Sequence, residues 1–118
     1  MTMIHIKRIY DPPAEKDGLR ILVDRLWPRG LKKNVARIDE WVKEIAPSIP
    51  LRKWFNHEPE KWQAFQLRYE DELKENKAVA DFLEQVKINK TVTLLYAAHD
   101  EEHNHALILQ RFLKRKVK

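Results

Sequence analysis

The chain has 118 residues, 43% of them hydrophobic and four of them tryptophan, which suits one folded domain over residues 1–118 and excludes a disordered tail. Its 23 Lys and Arg against 18 Asp and Glu leave a moderate formal charge of +5, and the absence of cysteine excludes disulfides, thiolate-bound zinc and cysteine nucleophiles. No charged leader followed by an apolar core opens the sequence and no apolar run approaches about 20 residues, so a cytoplasmic protein without signal peptide or membrane span is expected.

Ile4, Ile6 and Ile9 alternate with His5, Lys7 and Arg8, the period of a half-exposed strand. Asp11-Pro12-Pro13 and Asp17-Gly18 mark a loop too short for a usual helical crossover, so a hairpin-like return to the next strand is expected. That strand, Leu19 to Val23 with a buried Ile21-Leu22-Val23 run, stops abruptly at Asp24-Arg25-Leu26-Trp27-Pro28-Arg29-Gly30. From Arg25 to Lys90 the pattern is helical. Ile38, Trp41, Val42 and Ile45 fall at i, i+3, i+4, i+7, with Asp39 placed to cap and Pro47 to close. Ser48 reads as a turn or cap residue. Pro59 suits the start of a second helix with the stripe Trp62, Phe65, Tyr69 and Leu73. Asn76 can cap a third, carrying Val79, Phe82, Leu83 and Val86.

A buried strand from Val92 to Ala98 follows, with Tyr96 as a core residue. Asp100 is placed as N-cap of a last helix whose buried face is Ala106, Leu109, Phe112 and Leu113. That helix ends in a basic run, Arg111 and Lys114 to Lys118, which complements its dipole. The expected class is therefore α/β: a single small domain with a short, mainly parallel or mixed sheet of about three strands packed with about four helices. The second and third strands are expected as parallel neighbours with their carboxyl ends on one edge.

Ligands bind beyond the carboxyl ends of strands in open α/β sheets. Asp24, Arg25 and Arg29 at one strand end and Asn104 and His105 at the helix start after the other are thus the first candidates. Asp24 would serve as base or nucleophile, Arg25 and Arg29 as charge clamps and His105 as acid. Arg52, His57 and Arg68 add anion-binding candidates, although guanidinium stacking on the neighbouring Trp54, Phe55, Trp62 and Tyr69 is a structural use favoured over anion binding. His99, His103 and His105 form no HExxH-type arrangement, and neither metal nor cofactor is expected.

The runs Val23 to Gly30, Ala46-Pro47-Ser48, Leu51 to His57, Arg68-Tyr69 and Thr93 to Ala98 resemble, in order and over nearly the whole chain, the YeaO-like branch of the domain of unknown function 488 group. The resemblance implies a small bacterial or archaeal cytoplasmic α/β protein and carries no established activity. In the wider group the position of Asp24-Arg25 resembles an aspartate–arginine pair after a strand. Where many relatives carry cysteine, histidine and arginine, this sequence has Asn104, His105 and Ala106, which removes any thiol chemistry. His99 stands where closer relatives are expected to carry Arg or Lys.

Three functional readings follow from the residues. One is an enzyme acting on an anionic, phosphate- or nucleotide-like small substrate. Another is a nucleic-acid-binding module using the basic and aromatic stretch Arg52-Lys53-Trp54-Phe55. The last is a non-catalytic, anion-sensing regulatory domain. The oligomeric state is left open by the sequence.

Overall fold

A computed structural model of the protein describes residues 2–117; Met1 and Lys118, the last cation of the basic run, lie outside them. Strands β1 (Met3–Arg8), β2 (Leu19–Leu22), β3 (Glu40–Trp41) and β4 (Thr91–Tyr96) form one sheet in the order β1-β4-β2-β3. Every pairing is parallel. Helices α1 (Lys33–Ala36), α2 (Ile49–Phe55), α3 (Trp62–Glu75), α4 (Ala78–Lys87) and α5 (His105–Lys116) complete the α/β fold, one strand and one helix beyond the expected numbers. The expected parallel neighbours pair as anticipated: Ile21 lies opposite Leu94 and Leu22 opposite Leu95.

Alternation along the strands divides the core. Ile4, Ile21, Val23, Val92, Leu94 and Tyr96 face the side covered by the larger helices. There they meet the buried stripes of α3 (Phe65, Tyr69, Leu73), α4 (Phe82, Val86) and α5 (Leu109, Phe112, Leu113). Leu22 and Leu95 face the other side, under Ile9 and Ala36, with Trp27 and Leu31 packed alongside. The Tyr69 hydroxyl is fully buried and donates to the Ile45 carbonyl at 2.7 Å, and burial holds it protonated well above the usual tyrosine range. Among the described residues no helix is long and apolar enough to cross a membrane.

Three local expectations are corrected. First, β1 and β2 form no hairpin: β4 lies between them and both run parallel to it. Extended chain covers about 3.3 Å per residue, so residues 9–18 reach back along a six-residue strand with only a 3-10 turn, Glu15–Asp17, and no α-helix. Asp17 pins that return. Its carboxylate accepts from Arg20 at 2.6 Å, from Lys7 at 3.1 Å and from the Ala14 N–H at 3.0 Å, while its carbonyl accepts from Thr93 Oγ1 at 2.7 Å.

Second, Ile38 to Ile45 is no helix. Asp39 N–H donates to the Arg20 carbonyl and Val42 N–H to that of Leu22, both at 2.9 Å, so the segment is drawn onto the free edge of β2 as β3 and a short 3-10 turn. Asp39 accepts from the Arg20 N–H instead of capping. Tertiary pairing outweighs the local period. Third, Asp100 does not cap α5. Asn104 does, accepting from Leu107 N–H at 3.0 Å, while Asp100 closes the turn before it. The Ser48 and Asn76 assignments stand: Ser48 Oγ accepts from Leu51 N–H at the start of α2, and Asn76 Oδ1 accepts from Ala78 N–H at the start of α4.

Two outcomes follow from the crossover. Gly18 has φ 65°, and a Cβ there would lie 2.3 Å from the Thr91 carbonyl oxygen. Gly18→Ala should therefore destabilise the protein by about 2 kcal/mol or more in urea unfolding. Burial pushes the Asp17 carboxyl up, but the Ala14 N–H and the Lys7 and Arg20 cations outweigh it and hold the group below the usual carboxylate range. The folded value lies below the unfolded one. The stabilisation is thus complete above about pH 4 and is lost as the pH falls through the folded value, so urea midpoints should drop there and Asp17→Asn should flatten that limb.

Candidate functional site

The parallel pairing of β2 and β4 delivers their carboxyl ends to one edge, and two bonds beyond the strands keep them together. Val23 N–H donates to the Leu95 carbonyl at 3.1 Å, and Ala97 N–H donates to Asp24 Oδ2 at 3.0 Å. Asn104, 2% exposed, fixes the start of α5 through its cap and through Nδ2, which donates to the Asp100 carbonyl at 3.0 Å. The next residue, His105, then reaches back to β2. Its Nε2 lies 2.9 Å from the Val23 carbonyl and 3.2 Å from Asp24 Oδ1. A carbonyl only accepts, so Nε2 carries a hydrogen directed there. Asp24 Oδ1 stays within ion-pair reach yet has no hydrogen-bond partner among the described residues.

A cavity of about 780 Å³ opens at this edge. Asp24, Asn104 and His105 line it together with Arg29, Arg52 and His57, so six of the eight residues singled out in the sequence converge there. Arg25 and Arg68 do not. Arg25 donates from Nε to the Pro47 carbonyl at 3.1 Å and from Nη2 to that of Ala46 at 3.0 Å. Arg68 lies 4.1 Å above the Trp54 ring, in a separate groove with Ser48 and Glu72.

Lys53, His103, Leu26 and Ile49 also line the cavity and were not among those eight. The signal for Lys53 and Ile49 lay in helix spacing: Ile49, Arg52, Lys53 and Asn56 fall at i, i+3, i+4, i+7 on α2, one face of a helix. Asn56 and His57 that follow both have positive φ, 47° and 54°. Asn commonly ends helices this way, whereas a second left-handed residue costs about 1–2 kcal/mol. Strained backbone of this kind concentrates at ligand sites.

The charges on the two walls are unequally engaged. Asp100 accepts from the Glu102 and His103 N–H groups and lies 2.8 Å from His103 Nδ1; these bonds hold its carboxyl below the usual range. Asp24 is tied to Ala97 N–H. By contrast, the exposed Arg29, Arg52 and Lys53 side chains make no hydrogen bond or ion pair among the described residues. His99, His103 and His105 do not gather into a group able to hold a metal among the described residues. The aromatics next to this cationic wall are already covered: Phe55 is buried against Phe65, and Arg68 and Lys61 lie over the Trp54 ring.

Asp24→Ala leaves the Ala97 N–H without its acceptor at the junction of β2 and β4. A loss of about 1–3 kcal/mol in urea unfolding is expected, with Asp24→Asn milder because its amide oxygen still accepts.

The family model described as the inactive DUF488-N3 subclade matches residues 3–118. The uncharacterized protein YeaO of Escherichia coli is 45% identical over 111 residues, 94% of this chain and 96% of the relative. The uncharacterized protein Rv3073c of Mycobacterium tuberculosis is 37% identical over 112 residues, 95% of this chain and 94% of the relative. No solved structure matches the chain. A family model matched over nearly every residue and a relative 45% identical along almost the whole chain give one result: the chain belongs to the YeaO-like branch of the domain of unknown function 488 group, within the inactive DUF488-N3 subclade.

Proposed function

We propose that the protein is a non-catalytic binding domain whose cavity holds a small anion. The observation that carries this reading is the trio Arg29, Arg52 and Lys53, lining one cavity with no protein partner for any of their charges. Some cations elsewhere in the fold have carboxylate partners, Arg20 and Lys7 with Asp17, Lys61 with Glu58 and Arg115 with Glu70. An anion entering the cavity would supply the missing acceptors through charge-assisted hydrogen bonds, about twice as strong as neutral ones. Of the carboxylates facing the same space, Asp100 is held by two backbone N–H groups and the His103 imidazole, and Asp24 by the Ala97 N–H through Oδ2 alone.

The lack of catalysis rests on the engaged state of the residues that chemistry would need. Arg25 spends its guanidinium on carbonyls, Asn104 spends its side chain on a helix cap, and His105 directs Nε2 at a carbonyl. The description of the family as inactive agrees. One observation favours an acid–base alternative, namely Asp24 Oδ1, unbonded and 3.2 Å from His105 Nε2. Hydrolysis of 4-nitrophenyl phosphate that disappears in Asp24→Asn would decide for that alternative.

Calorimetric titration with inorganic phosphate at low ionic strength tests the main reading. The wild type should bind, binding should weaken with added salt, and Arg52→Gln with Lys53→Gln should weaken it about tenfold or more. Equal affinity in the double variant and the wild type would exclude the site.

A further inference from the structure

The cavity is larger than a simple anion needs, and its lining is not uniform. At about 780 Å³ it falls within the range of about 300–1,000 Å³ typical of pockets that enclose a whole organic molecule. Two exposed large apolar side chains, Leu26 at 61% and Ile49 at 48%, line it together. Pro47 adjoins them, and Ala97 and Ala98, with no side chain beyond Cβ, line the cavity as well. Exposed apolar residues scattered singly need no explanation, but two that share a concave site with unpartnered cations do.

The cavity face of α2 arranges these properties in sequence. Ile49 stands at the start of the helix, Arg52 and Lys53 one turn on, and Asn56 after a second turn, with His57 beyond. At 1.5 Å rise per residue, the apolar start and the polar end are about 10 Å apart. One wall thus runs from apolar Ile49 through the cations Arg52 and Lys53, about 5 Å along the axis, to polar Asn56.

We infer that the ligand is a phosphomonoester carrying a flat apolar body of ring size, with the phosphate at Arg52, Lys53 and His57 and the ring against Leu26, Pro47 and Ile49. This rests on the anion-binding reading of the same cavity and adds the chemistry of the uncharged part. A phosphomonoester fits the head position because its near-double negative charge matches several cations at once, where a carboxylate offers one. A ring fits the other end because a rigid apolar group buries area against Leu26 and Ile49 with few rotors to freeze. An aryl phosphate and a nucleoside monophosphate share this chemistry, so both serve as probes.

Calorimetric titrations of the full chain with inorganic phosphate, 1-naphthyl phosphate and adenosine 5′-monophosphate separate the outcomes. At least one ring-bearing ester should bind about tenfold or more tightly than inorganic phosphate; which one does so distinguishes a plain aryl ring from a nucleoside. Leu26→Ser with Ile49→Ser, both at exposed positions that folding tolerates, should weaken the favoured ester at least fivefold and leave inorganic phosphate within twofold. Esters that bind no more tightly than inorganic phosphate, or a double variant that weakens all ligands alike, would overturn the inference while leaving an anion site in place. No binding of any of the three would overturn both readings.

Discussion

The parallel contact between β2 and β4 is the constraint on which the remaining architecture hangs. It brings two strand ends that lie some seventy residues apart in the chain to one edge, and the bonds from Val23 N–H to Leu95 and from Ala97 N–H to Asp24 continue it past the strands themselves. Between β2 and β4 the chain must then return from the carboxyl edge to the amino edge twice, first through α1 to the parallel β3 and then through α2, α3 and α4 across the other face. The cavity is the space left where that excursion departs from the sheet and α5 leaves β4.

The second face is held by different means. It lacks long helices, and a polar brace takes their place: Asp17 between Lys7 and Arg20, with Arg20 also donating to the Ala36 and Arg37 carbonyls at 2.9 Å. A buried guanidinium satisfied by a carboxylate and two carbonyls is costly to disrupt, because removing one partner strands the others. The brace also explains why so short a crossover suffices. Asp17 fixes the turn of chain at the foot of β2, and Gly18 lets the backbone press against Thr91.

The α/β class and the meeting of the β2 and β4 carboxyl ends beside a cavity were legible in the sequence because each depends on strong local signals. Two apolar strand runs ended in polar residues, and parallel neighbours share an edge. The edge strand β3 was not legible, since its two residues sit inside a period-3.6 pattern and it exists only because β2 offers unpaired backbone. Two capping residues four positions apart, Asp100 and Asn104, gave no local basis for choosing between them; α5 starts at His105, which puts Asn104 at its N-cap. The fate of Arg25 was equally hidden. A guanidinium after a strand looks the same in sequence whether its donors meet a ligand or the carbonyls of Ala46 and Pro47.

That carbonyl clamp has a consequence for how the cavity works. The loop after β2 carries Leu26 and Arg29, and the segment leading into α2 carries Pro47 and Ile49, so the two walls belong to different excursions of the chain. By bonding Ala46 and Pro47, Arg25 rivets those walls to each other from behind. The anion proposed to bind between them would meet a cleft already tied together, with less conformational freedom to surrender on association. Arg25, absent from the cavity lining, in this way ties together the two segments that form it.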